Sequence, residues 1–354
     1  MRERLLNWLV CPVCRQALKP EIIRKKDGQI WEGLLHCEGR HIYPIIEGVP
    51  RMLCGDLLDN LIGLYPDLPS QILKLSFHRA MLHNNLNPND KLRTMERFGY
   101  EWNQFEDYNC DNMEQFVQPL PSNYFMGKLG LDVGCGNGRH AKQVSRMGAE
   151  IIAVDISNAV DAAQKKCVHN DRIHVVQGDV YNLPFRHSLF EFIYSLGVIH
   201  HLPEPEKGYR SLVPFLRENG SLFIWVYANS LRKKALELLR FASMKLSNKN
   251  IQRMAFVCNL VDYGVFMNLY RFSNNLPLIG RIVENLWPPR IREYASHGFR
   301  VSYVDWFDRL SAPITNYYKQ GQMQEWLSRS GLVNQRLLSE GDSWWWLYGE
   351  KAPG

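Results

Sequence analysis

Through the middle of the chain, short apolar runs recur, and several end on an acid. They are Leu131-Asp-Val133, Glu150-Ile-Ile-Ala-Val-Asp155, His174-Val-Val-Gln-Gly-Asp179, Glu191-Phe-Ile-Tyr-Ser195 and Leu222-Phe-Ile-Trp-Val-Tyr227. Runs this short, with little polar alternation, predict strands buried on both faces, as in a parallel sheet covered by helices. Residues 139 to 147 read as one such helix. The pattern predicts an α/β fold with a doubly wound, Rossmann-like sheet. Near the C-terminus, Thr315 to Gly331 reads as a helix with a glycine cap. Leu332–Leu338 and Ser343–Tyr348 read as closing antiparallel strands. Trp344, Trp345 and Trp346 alternate faces there, which favours burial under helices over a stacking platform.

The flanks read differently. Ile42 to Leu53 forms a strand, a turn and a second strand. From about Asp56 to Tyr124 the pattern is helical and loop-rich, with a turn-forming break at Asn84–Asp90 and an aromatic cluster, Phe98, Tyr100 and Trp102. These rings suit a lid or substrate wall, and equally a packed junction. After Tyr227 roughly a hundred residues are inserted. Leu231–Leu246 is a basic amphipathic helix, with further helices at 251–269 and 278–287 and a break at Pro288-Pro289. An insertion there is expected to lie over the strand ends as a substrate lid. The expected division is 1–56, a small N-terminal domain; 57–125, a helical linker or lid; and 126–354, the sheet domain, with its insertion at about 231–310.

The length of 354 residues suits two or three units, and 45% hydrophobic with 22% charged residues indicates a globular chain. No apolar run is long enough to span a bilayer. Met1 to Val10 lacks the long apolar region and small-residue site of a signal peptide. A net charge of +6 and a pI near 8.8 are compatible with RNA, with an anionic membrane surface, or with an ordinary solvated surface. The basic helix at 231–246 could touch lipid peripherally, although lysine and arginine stems covering apolar surface is the preferred reading. Eight cysteines without a disulfide framework point to a reducing, cytoplasmic compartment.

Two patterns carry chemistry. In the first, Gly134-Cys135-Gly136-Asn-Gly138 follows a strand and precedes a helix, so backbone N–H groups can approach an anionic ligand closely. The spacing is G-x-G-x-G, and Arg139 stands where a dinucleotide fingerprint has its third glycine. No Lys-Ser/Thr pair follows, which excludes a phosphate-binding P-loop. Asp132 can meet an ammonium group, Asp155 ribose hydroxyls and Asp179 an adenine amino group. In the second, Cys11-Pro-Val-Cys14 with Cys37 and His41 makes a Cys₃His tetrahedral set suited to a closed, structural zinc. His36 is an alternative ligand.

The series Asp132/Gly134/Gly136/Gly138, Asp155, Gly178-Asp179 and Ser195-Leu196 leading to His200-His201 resembles the class I S-adenosylmethionine-dependent methyltransferases, over about Gly130 to Tyr227. The resemblance implies a cofactor site built from Asp132, Gly134, Cys135, Gly136, Gly138, Asp155, Ile156, Asp179, Val180 and Leu196. It implies that His200, or next His201, faces the active site, where a near-neutral histidine suits a general base. Ser195-Leu-Gly-Val198 stands where N-methylases of the adenine or glutamine type carry Asn-Pro-Pro-Tyr, which argues against that chemistry. Leu5-Leu6, Leu9-Val10-Cys11-Pro12, Cys14, Tyr43-Pro-Ile45 and Glu47-Gly-Val-Pro50 resemble the zinc-ribbon-like domain of bacterial ribosomal-RNA guanine methyltransferases. They also resemble a small stand-alone activator of methyltransferases. More loosely, Phe98 to Trp102, Ile224–Tyr227, Asp305–Asp308 and Tyr318–Gly331 are similar to methyltransferases of polysaccharide, lipid or natural-product biosynthesis. The first expectation is therefore methylation of a hydroxyl or carbon on a small-molecule, glycan or lipid-linked intermediate. RNA methylation with the zinc module as dock is the second, and a non-catalytic activating partner the third.

Overall fold

The computed structural model describes residues 1–65, 88–229, 234–276, 287–340 and 343–354. The strands are β1 Lys19–Lys26, β2 Gln29–His36, β3 Ile42–Ile46, β4 Val49–Met52, β5 Leu129–Val133, β6 Glu150–Asp155, β7 Ile173–Gly178, β8 Phe190–Leu196, β9 Leu216–Tyr227, β10 Val333–Glu340 and β11 Trp344–Glu350. They form one sheet in the order β1-β2-β3-β4-β7-β6-β5-β8-β9-β11-β10. From β4 to β9 the neighbours run parallel, and β11 and β10 close the edge antiparallel. The expected doubly wound sheet is present. Alternate residues of each central strand serve opposite cores: Ile152, Val154, Val176 and Ile193 one, Ile151, Ala153, Val175 and Phe192 the other. That division explains the uninterrupted apolar runs. The tryptophans divide likewise, with Trp346 and Trp344 on one side and Trp345 on the other, its Nε1 donating to the Tyr318 carbonyl at 2.8 Å.

The N-terminal meander is continuous with this sheet. Glu47 and Gly48, at φ of 50° and 78°, make the two-residue turn between β3 and β4. β4 then pairs in parallel with β7, Arg51 opposite Gln177 and Met52 opposite Gly178. Met1, Leu5, Leu9, Leu35, Tyr43 and Ile45 pack in the same core as Leu131, Phe185 and Phe190. The fully buried Arg51 donates to Gln177 Oε1 (3.0 Å) and Asp161 Oδ1 (2.6 Å), so its charge is matched inside the junction.

By compactness the chain divides into one unit of residues 1–230 with 314–354, and a second of residues 231–313. The second contains helices Lys234–Ser243, Asn248–Val261, Asn268–Asn274, Pro289–Ala295 and Phe299–Ser311, with a π turn at Asp262–Met267. The helix expected from 251 to 269 is thus longer and contains that wider turn. The one expected at 278–287 lies outside the described residues apart from its last position, as do residues 231–233 of the basic helix. Phe299–Ser311 was not anticipated.

Two further expectations change. The break at 84–90 lies outside the described residues up to 87, and its remainder, Pro88 to Asp90, starts a helix that runs to Gln104. A proline in the first turn loses no hydrogen bond, and Asp90 suits the positive helix end. The C-terminal helix spans only Gln320–Arg329. Residues 315–319 are drawn away because Tyr318 pairs with the end of β9, its N–H donating to the Tyr227 carbonyl and its carbonyl accepting from Asn229 N–H.

Candidate functional site

The glycine turn leaves β5 with Gly134, Gly136 and Gly138 all in the left-handed region. A side chain at Gly134 would overlap Val198, so the loop after β8 lies directly on the turn. A methyl at Gly136 would lie 3.0 Å from the Trp102 indole. Below the turn, Asp132 is buried, and burial pushes its carboxyl up to about 7, tempered by the neighbouring Tyr194 hydroxyl. Its Oδ2 has no hydrogen-bond partner of good geometry among the described residues. An orphaned buried carboxylate atom beside a backbone cradle fits a ligand carrying an ammonium group. Asp155, at the end of β6, accepts from Gly136 N–H with Oδ2 (3.0 Å) and from Ser157 N–H and Oγ with Oδ1 (2.9 and 2.7 Å). These bonds hold the acid against the turn while burial raises its pKa.

Asp179, after β7, accepts from Tyr181 N–H (3.1 Å) and from Lys91 Nζ (2.5 Å), with both side chains of that ion pair buried. Lys91 belongs to helix Pro88–Gln104, whose residues touch the end of each central strand. Gly99 packs on Asn158 after β6, Trp102 covers the turn after β5, and Phe98 lies 5.1 Å from the His201 ring after β8. The sequence offered Phe98 and Trp102 as wall candidates. It gave no sign of Lys91, because a lone lysine in a polar helix looks like surface. Arg139, read only as a departure from the dinucleotide pattern, stacks on Trp102 and Tyr108 at 5.2 and 5.1 Å. Of the other residues expected to face the cofactor, Cys135, Val180 and Leu196 are buried and Ile156 is partly buried beside Met95 of the same helix.

His200 and His201 lie in a short 3₁₀ turn, Ile199–His201, and both are buried. The His200 ring sits 4.1 Å from those of His201 and Tyr227 and 6.4 Å from Trp225. His201 Nδ1 lies 2.6 Å from the Ile314 carbonyl, which fixes that nitrogen as the donor. The His200 carbonyl accepts from Asn316 N–H and Nδ2 at 2.9 and 3.1 Å. The segment expected to begin a helix therefore braces this loop.

In the N-terminal module the ligand atoms of Cys11, Cys14, Cys37 and His41 lie within 4.8 Å of one another. Cys14 and Cys37 sulfurs are 3.5 Å apart, and His41 Nδ1 is 3.3 Å from Cys37 Sγ and 3.5 Å from Cys11 Sγ. Zinc bonds of about 2.0–2.3 Å in a tetrahedron put ligands about 3.3–3.8 Å apart, so the set fits a structural zinc. The Tyr43 hydroxyl, 3.2 Å from Cys11 Sγ, is placed to donate to a thiolate. His36 is not part of the set, since its Nε2 pairs with Glu21 at 3.0 Å.

The order of β5 to β11, with a glycine turn after β5 and an acid after each of the next two strands, defines a class I S-adenosylmethionine-dependent methyltransferase domain. Comparison agrees: residues 131–224 match the family model described as a methyltransferase domain, and residues 2–48 that described as Trm112p-like protein. The chain is 31% identical over 123 residues to the mitochondrial ubiquinone biosynthesis O-methyltransferase of Schizosaccharomyces pombe, covering 33% of this chain and 44% of that one. It is 30% identical over 121 residues to the tRNA (carboxymethyluridine(34)-5-O)-methyltransferase of Saccharomyces cerevisiae, covering 32% and 39%. It thus spans less than half of either relative. Among solved structures, human N-acetylserotonin methyltransferase with its cofactor aligns over 73% of this chain and 56% of that one, at 12% identity and a TM-score of 0.43. The chain carries a methyltransferase domain preceded by a Trm112p-like, zinc-ribbon-like module. No helix among the described residues is long and apolar enough to cross a membrane.

Proposed function

We propose that this protein methylates a hydroxyl or carbon of a small, largely apolar acceptor. The observation that carries the reading is the enclosure of the His200 ring by His201, Tyr227 and Trp225, with Phe98 on His201. An aromatic enclosure suits a compact ring or lipid-like acceptor better than a polyanion. S-adenosylmethionine supplies an electrophilic methyl group when bound. Asp132 and Gly134 would hold its amino-acid end, Asp155 its ribose and Asp179 with Val180 its adenine. His200, with His201 as the second choice, takes the proton from an acceptor hydroxyl. The walls align the acceptor and exclude water, and positioning supplies most of the acceleration. A second reading, RNA methylation, is supported by the Trm112p-like match and the tRNA-modifying relatives.

The test uses methyl-labelled cofactor and cell extract separated into RNA, protein, lipid and small-molecule fractions, with Asp155→Ala as control. Label in lipid or small molecules, absent with the variant, supports the proposal. Label confined to RNA replaces it with the second reading.

A further inference from the structure

The second unit buries several polar and charged groups beside its apolar core and leaves a large apolar surface outside. Residues 231–313 contain thirteen lysines and arginines against six acids, a net +7, which leaves the remainder of the chain at −1. Two of those acids, Asp262 and Asp305, point inward. Arg290 Nε donates to Asp262 (2.9 Å) and its Nη1 pairs with Asp305, while Arg309 Nε donates to Asp305 (2.7 Å). Asn259, fully buried, donates to the Phe299 carbonyl. Helix Asn248–Val261 and its continuation through Asn274 thus send Asn259 and Asp262 inward beside Ile251, Ala255, Met267 and Tyr270.

The outward side is apolar. Phe256, Val257, Leu260, Val261, Leu269 and Phe272 are exposed, the last by 70%. They form a stripe roughly 24 Å long at 1.5 Å per residue. Four-residue steps overshoot an α-helical turn by about 40°, and the wider π turn at Asp262–Met267 takes up that drift and keeps Leu269 and Phe272 in line. Exposed Lys245, Lys249 and Arg253 flank the near end of the stripe.

We infer that this face docks on the surface of a bilayer bearing anionic headgroups. An exposed apolar stripe this long marks an interaction site. Its cationic border and the unit's +7 complement an anionic surface and oppose pairing with a second copy. Four of its six side chains, Val257, Leu260, Val261 and Leu269, are aliphatic and give nucleic-acid bases little to stack on. The stripe would lie in the interface plane, its rings and branched chains reaching the acyl boundary. The inference is independent of the methyl-transfer reading.

The experiment is flotation of the full chain with phosphatidylcholine vesicles, with and without phosphatidylglycerol. Binding at least about tenfold stronger to the anionic vesicles, weakened by salt, is expected. Leu260→Asp with Phe272→Asp should abolish it without changing the melting temperature, because both positions are exposed. Lys249→Glu with Arg253→Glu should weaken it several-fold. In Leu269→Trp, quenching by lipids brominated on their acyl chains should report insertion. Three outcomes overturn the inference: folded protein that does not float, flotation that survives the double aspartate variant, or tRNA binding without flotation. Concentration-dependent dimerisation relieved by the aspartates, again without flotation, assigns the stripe to a second copy instead.

Discussion

Asp132 is a fully enclosed carboxyl and Asp305 a largely enclosed one, and they behave oppositely. Asp132, at the glycine turn, is pushed up to about 7 by burial, with Asp155 adding to the rise and the Arg139 charge only partly opposing it. Asp305, inside the helical unit, is held at about 2: burial would raise it, but the Arg290 and Arg309 guanidiniums more than offset that. Burial alone therefore does not mark a site. An acid whose charge is only partly opposed has room for a counter-charge supplied by a ligand. An acid that already has two is a clamp, and its interest lies in what the clamp turns outward.

The contrast can be broken in four ways. The largest effect is expected at His200, where His200→Ala should lower kcat by about 10²–10⁴ while leaving cofactor affinity within a few-fold. Equal loss in binding would make it a structural residue. Next, Asp305→Ala takes a shared carboxylate from Arg290 and Arg309, leaving Asp262 on Arg290, and denaturant unfolding should show a loss of about 3 kcal/mol, whereas Asp132→Asn should leave stability near wild type and instead abolish cofactor binding in calorimetry. Third, cofactor affinity should fall about tenfold per pH unit below about 7, because protonated Asp132 cannot meet an ammonium. Stability runs the other way. Asp132 binds its proton more tightly folded than unfolded, so its contribution favours the fold as pH falls from 7 towards 4. Asp305, with a depressed pKa, contributes fully above about 4 and loses that as pH falls towards 2. A cofactor affinity flat from pH 5 to 8 would remove Asp132 from the site. The smallest effect concerns the metal: purified protein should hold about one zinc per chain, and Cys37→Ser should lower both metal content and melting temperature by several degrees.

The strand ends were legible because a buried strand has few reasons to end in an acid, and Asp132, Asp155 and Asp179 do. The Cys₃His set was legible from spacing alone. Lys91 was hidden because its partner lies 88 residues away. The exposed stripe on the helix from Asn248 was hidden more deeply: a 3.6-residue period shows that a helix has two faces but not which one turns inward. Its apolar stripe reads as core, and the fully buried Asn259 would have been placed on the surface. The helix predicted from Thr315 overshot because local propensity does not register that Asn316 and Tyr318 have better hydrogen-bond partners elsewhere.

The pairing of β4 with β7 also sets a schedule. Residues 49–52 leave the ribosome long before residues 177 and 178, their partners in the sheet. During that interval β4 is an uncovered strand edge, open to wrong pairing. Metal captured by Cys11, Cys14, Cys37 and His41, all of which precede β4 in the chain, could order the hairpin while its partner is still being made. A shortage of zinc would then appear first as lost yield of newly made chain, before any change in the activity of molecules already folded.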